Sequence, residues 1–105
     1  MKQIINGLRY DTDTATCLAE WQNFDGDLSD FNYIEESLHV TKSGRYFLYV
    51  AGGANTEYAE HHGNGMYSGS ENLRPITEQE AFVWCQDHDA IDVIEERFAD
   101  MIQDA

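Results

Sequence analysis

The run from Tyr33 to Val50, YIEESLHV-TKSG-RYFLYV, constrains the fold more than any other stretch. Segments rich in β-branched and aromatic residues lie on both sides of a short Lys42-Ser43-Gly44 break, a pattern that predicts a β-hairpin. Gly44 suits the left-handed position that closes a type I turn with a bulge. With Thr41 opposite Arg45, Leu38 faces Leu48 and Val40 faces Tyr46. One face then carries Ile34, Leu38, Val40, Tyr46, Leu48 and Val50 and reads as a core floor. The other carries Tyr33, Ser37, His39, Phe47 and Tyr49 and is apolar enough to need a partial cover.

Around this hairpin the chain offers further strands and then changes period. Asn6-Gly7, between Lys2 to Ile5 and Leu8 to Tyr10, predicts a tight hairpin because both residues tolerate positive φ. Ala15 to Trp21 alternates, with Ala15, Cys17, Ala19 and Trp21 on one side of an expected strand. An acidic loop over 23–32 follows. The glycine-rich stretch 51–70 is irregular, and a short edge strand is expected over 72–76, where Pro75 confines it to the edge. Thr77-Glu78-Gln79-Glu80 has the form of a capping box. Ala81, Trp84, Cys85 and His88 then fall at helical spacing. Asp89 is placed to cap a second helix with Ile91, Ile94, Phe98, Met101 and Ile102 on one apolar stripe. The expected fold is a single α+β domain over residues 1–105: an antiparallel sheet of four or five strands built on hairpins, with two C-terminal helices packed on one face. Leu48, Trp84, Ile94 and Phe98 are expected to be buried together.

Charge bounds the function. Twenty Asp and Glu stand against six Lys and Arg, a net charge of -14. Direct nucleic-acid binding is disfavoured, because that affinity comes largely from Lys and Arg displacing counterions. Basic partners are favoured, including the basic grooves of proteins that themselves bind nucleic acid; the excess acid also serves solubility. Two distant cysteines, Cys17 and Cys85, read as buried free thiols in a reducing cytosol. The N-terminus has no apolar signal-peptide core and no run suits a membrane span, so a cytoplasmic location without membrane association is expected.

Asp92, Glu96 and Asp100 recur at i, i+4 spacing on the expected last helix, with Glu95 beside them. Such a row costs ~0.2–0.5 kcal/mol per like-charge pair. It is either a solvated face or a line of carboxylates about 6 Å apart, offered to a row of Lys and Arg. Asp25, Asp27 and Asp30, and the pair Glu35-Glu36, extend the candidate partner-binding surface. His61, His62, Cys85 and His88 are the one soft-metal set, but no paired ligand spacing supports it. Asn23, Asp25 and Asp27 alternate as in a calcium loop, yet Gly26 and Ile34 break the pattern. Gly52-Gly53 before Asn55-Thr56 could bind an anion through backbone N–H groups, with no lysine following to hold a phosphate. A cysteine–histidine nucleophile pair is opposed by the core placement of both cysteines. Tyr33, Tyr46, Phe47 and Tyr49 lack the basic surround of a base-stacking platform, so a second small core beneath 51–70 is expected. No catalytic residue, cofactor or metal is therefore expected.

Ile5 to Ala15 (INGLRYDTDTA), Ser43 to Tyr49 (SGRYFLY), Gly52 to Ala59 (GGANTEYA) and Gly69 to Ala81 (GSENLRPITEQEA) running into Trp84 resemble a group of small proteins from phages and bacterial mobile elements. The resemblance implies a context in which small acidic proteins bind a host defence or nucleic-acid protein. To anti-CRISPR and anti-restriction DNA mimics the chain is similar in size and charge only. A non-enzymatic acidic inhibitor of a host protein's basic surface is the leading expectation. The alternatives are a small enzyme or metal-binding protein centred on 51–70, with Tyr58, His61 and His62, and a structural accessory of a mobile element.

Overall fold

The computed structural model describes residues 1–23, 32–54, 56–63 and 66–105. Its centre is a four-stranded antiparallel sheet in the order β3, β4, β5, β8, formed by Thr16–Gln22, Ile34–Val40, Tyr46–Gly52 and Ser70–Ile76. The β4–β5 register pairs Leu38 with Leu48 and Val40 with Tyr46. The turn closes through Thr41 N–H to Arg45 O at 2.8 Å, with Gly44 at φ 89°, a conformation that a residue with a Cβ adopts at a cost. Lys2–Ile5 (β1) and Leu8–Asp11 (β2) form a separate hairpin around Asn6 and Gly7, both at positive φ. Glu60–His61 (β6) and Tyr67–Ser68 (β7) make a short third ladder. Glu78–Asp87 (α1) and Ile91–Arg97 (α2) follow, then a 3-10 turn over Ala99–Met101. The protein is an α+β fold with its helices C-terminal to the strands. Among the described residues no helix is long and apolar enough to cross a membrane.

Alternation along β4 and β5 sorts the interior into two cores. The first joins Leu38, Leu48 and Val50 to Ala81, Trp84 and Cys85 of α1 and to Phe98, with Ile94 partly buried against them. Ile91 and Ile102, expected on the same stripe, are exposed. Ile102 leaves the stripe because the helix stops at Phe98, at φ -124°, whose ring is 1% exposed between Tyr46 and Phe82. The second core lies on the opposite face. Phe47 and Leu73 there meet Tyr10, with Met1 and Ile5 packed alongside. The N-terminal hairpin therefore supplies the cover expected from 51–70, while Tyr58 of that stretch packs against the first core.

Two local expectations change for identifiable reasons. A bulge between Cys17 and Ala19 breaks the alternation of β3. Leu18, Ala19 and Trp21 all reach the first core, whereas Cys17 pairs with His39 and is exposed. Asp89 does not cap α2. It occupies the left-handed region at φ 55°, which a short polar side chain tolerates, and Ala90 is the N-cap. The capping box at α1 is complete, with Glu80 N–H donating to Thr77 Oγ1 at 3.1 Å and Thr77 N–H to Glu80 Oε1 at 3.0 Å.

Leu48→Ala and Phe98→Ala are each expected to cost ~2–5 kcal/mol, the usual loss when a core side chain is truncated. Ile4→Ala, at a side chain 68% exposed, is expected to shift stability by no more than ~0.5 kcal/mol. Urea unfolding of the three variants checks the contrast.

Candidate partner-binding surface

The helical layer begins where the capping box starts α1, and from residue 77 to the end of the sequence it holds nine Asp and Glu against a single arginine, Arg97. All nine acidic residues are exposed. Asp92, Glu95 and Glu96 project from α2, and Asp100 belongs to the 3-10 turn after the break at Phe98. The three-residue row is therefore a pair on one helix turn and a third carboxylate on another element. Among the described residues, Asp92, Glu95, Glu96 and Asp100 make no ion pair or side-chain hydrogen bond. Asp92 suits the positive N-terminal end of α2, and Arg97 suits its negative end. Seven residues of helix do not hold themselves together in water, so packing through Val93 and Ile94 carries α2 and the like charges are tolerated.

The rest of the expected surface divides. Asp25, Asp27 and Asp30 lie outside the described residues, as does most of the calcium-like loop. Glu35 is half-buried on the face of Tyr49. Glu36 is not a surface acid: it is 9% exposed. Its position on β4 has the parity of Leu38 and Val40, opposite Val50, so its side chain enters the first core. There Oε1 accepts from Trp84 Nε1 at 2.8 Å and Oε2 accepts from the Tyr58 hydroxyl at 2.7 Å. A buried carboxylate needs such donors. Burial, followed by the bond to Glu36, pushes the Tyr58 hydroxyl well above the usual phenol range. Sequence reasoning missed this hub, although the strict alternation Ile34, Glu36, Leu38, Val40 was the signal.

The soft-metal set is not assembled. Cys85 is buried and its thiol is pushed up by burial. His88 sits at the end of α1 with Nδ1 2.8 Å from Trp84 O, stacked on Trp84 and edge-on to Trp21. His61 and His62 lie at the exposed β6 end, where His62 Nε2 is 2.6 Å from Ser68 Oγ. Among the described residues no three His, Cys, Asp or Glu side chains form a metal-binding group. The expected anion cradle is also used internally: Gly53 N–H donates to Tyr33 O at 3.0 Å and Thr56 N–H to Gly53 O at 3.1 Å. Gly52 is needed for space, since a Cβ there would strike Thr56 Oγ1.

The aromatic face is not a platform. Phe47 is fully buried between Tyr10 and His39, Tyr46 lies on the opposite face, and the Tyr49 hydroxyl donates to Glu71 Oε2 at 2.6 Å. Cys17, expected in the core, stands opposite His39 at the sheet edge, but burial and the Glu20 carboxylate push its thiol up, away from an activated nucleophile. His39 is 6% exposed. Its Nε2 lies 2.8 Å from Ser37 Oγ, and Nδ1 is buried without a hydrogen-bond partner among the described residues.

No protein-family model matches the chain, and no curated protein and no solved structure matches it.

Glu36→Ala strands the Trp84 indole N–H in the core, which is expected to cost ~1–3 kcal/mol. Tyr58→Phe, which leaves that bond in place, is expected to cost less. Chemical denaturation of both variants and of the double variant measures the coupling. Burial lowers the His39 pKa from 6.5, against an opposing effect of Glu20 and with a smaller lowering effect of the N-terminal ammonium. Below pH 6.5 the unfolded chain therefore takes up a proton that the folded chain resists, and stability falls as pH drops toward the folded pKa. In His39→Gln this component of the pH dependence below pH 6.5 is expected to vanish, as read from melting temperatures at stepped pH.

Proposed function

We propose that this protein is a non-enzymatic binding protein whose acidic helical layer occupies the basic, nucleic-acid-binding surface of a host protein, in the manner of a phage-encoded anti-CRISPR-type inhibitor. One observation carries the proposal: every one of the nine acidic residues after residue 76 is exposed, and Arg97 is the only cation among them. Asp92, Glu95, Glu96 and Asp100 are the contact residues, whereas Glu35 lies on the opposite face of the sheet, with Tyr49, and is left out of this surface. Glu36 is withdrawn from it, because its carboxylate is committed to Trp84 and Tyr58.

The remaining five Lys and Arg lie before the helical layer, at Lys2, Arg9, Lys42, Arg45 and Arg74. The cations are thus concentrated before the layer, where eleven Asp and Glu still outnumber them, and the helical layer is strongly net negative. A field of that sign steers a basic partner toward it and raises the association rate more than it tightens the final complex. It also repels nucleic acid, so nucleic acid would compete for the partner and not for this chain. A cytoplasmic setting goes with such a partner.

Affinity capture from a host lysate, eluted across a salt gradient, is expected to release a nucleic-acid-binding protein between low and physiological salt. Changing Asp92→Asn, Glu96→Gln and Asp100→Asn together is expected to slow association with that protein and to leave the melting temperature unchanged or higher, because like-charge repulsion is relieved. Unchanged association and unchanged salt dependence would reduce the layer to a solvated face.

A further inference from the structure

We infer that the groove between β8 and α1 is an anchor site for one arginine or lysine side chain of a basic partner, an inference that rests on the function proposed above. The groove has a volume of about 320 Å³, and buried Leu48 and Trp84 line it together with partly buried Ile76 and the exposed Val83, Glu80 and Asp87. Val83 is 42% exposed on a helix whose other outward side chains are mostly polar. The occupant that suits such a place has an apolar stem and a cationic head, which describes Lys and Arg. An apolar side chain alone would desolvate Asp87 and Glu80 Oε2 without giving them a partner, Glu80 Oε1 already accepting from Thr77 N–H, and an anionic one would be repelled by both carboxylates. The head group of Arg or Lys makes charge-assisted hydrogen bonds to carboxylates instead.

Two features of β8 limit how the partner enters. Pro75 carries no backbone N–H, and Leu73 N–H is bonded to Asn72 Oδ1 at 3.1 Å. The outer edge of β8 is therefore a poor template for an added strand, and the partner engages through a side chain. Arg74 also lines the groove, but its guanidinium carbon lies over the Tyr58 ring, 5.7 Å from the centroid. Its charge is thereby engaged toward the 51–70 stretch, and no ion pair of Arg74 with Glu80 or Asp87 exists among the described residues. In the complex, the α2 carboxylates govern the approach and the groove governs the residence time, as a packed anchor does within a polar rim.

The test is a titration of the ¹⁵N-labelled chain at low salt with acetyl-Gly-Arg-Gly-amide, and with the same tripeptide carrying citrulline or norleucine in place of arginine. The expected result is a saturable shift of the Ile76 and Val83 amides and the Trp84 indole with the arginine probe. Citrulline and norleucine should bind at least about tenfold more weakly, the loss of one charge-assisted contact. Val83→Lys, at an exposed position, should abolish the shift while keeping the melting temperature. The Asp92/Glu96/Asp100 variant should show the same isotherm as the unmodified chain. Equal binding of arginine and citrulline, an isotherm that does not saturate, or shifts confined to α2 would overturn the anchor site. Should salt-dependent capture of the partner persist while the arginine isotherm is absent, the groove alone is refuted and the acidic layer stands. Should the isotherm persist while capture is lost from unmodified protein, the function proposed above is what fails.

Discussion

The Glu36 carboxylate ties β4 to α1 and to Tyr58, neither of which is held to β4 by a backbone ladder. It leaves the middle of β4, accepts from the Trp84 indole of α1 and accepts from the Tyr58 hydroxyl of the 51–70 stretch. An ionised carboxylate in a core is costly unless its oxygens are satisfied, and each oxygen here has a donor within 2.8 Å. That requirement sets the rotation of α1 about its axis, because only one orientation points Trp84 Nε1 at the sheet. It also draws Tyr58 down onto the first core, and with it the end of β5 around Gly52. The apolar contacts of Leu38, Leu48 and Phe98 supply bulk stability without direction, whereas the hydrogen bonds of Glu36 select among the packings they would allow.

The same helices that answer to Glu36 on their inner side are left polar on their outer side. Packing through Ala81, Trp84, Cys85 and Ile94 secures them, so their exposed positions carry little responsibility for the fold. Like charges cost only ~0.2–0.5 kcal/mol per helical pair, a sum that this core tolerates. A chain under no selection except for folding would gain by alternating the signs. The one-sided acidity of residues 77–105 is therefore affordable structurally and needs a reason outside the fold, which the proposed basic partner provides.

Much of the architecture is legible in the sequence. The hairpin register at Leu38 and Leu48, the Asn6-Gly7 turn, the capping box at Thr77 and the edge position of Pro75 all follow from rules of local geometry. The candidate surface was legible in part: Asp92, Glu95, Glu96 and Asp100 are exposed, while Asp100 stands apart from the helix and Glu36 is buried. Composition grouped Glu36 with Glu35 as two adjacent acids, although strand parity separates neighbours onto opposite faces. The bulge at Cys17 left no signature in the residue pattern, so Leu18 and Cys17 were assigned to exchanged environments.

What the sequence determined by itself is what depends on near neighbours along the chain: turns, caps, strand periodicity and net charge, each governed by backbone sterics or simple counting. What only the tertiary structure decided depends on residues distant in sequence. Which element covers the Phe47 face was settled by the fit of Tyr10 and Ile5 over it. Where α2 stops was settled by the burial of Phe98 between Tyr46 and Phe82. Whether an acid is a surface charge or a core ligand was settled by Trp84, 48 positions away from Glu36. A carboxylate has no fixed preference until its donors are in place, and those donors arrive only when the chain closes on itself.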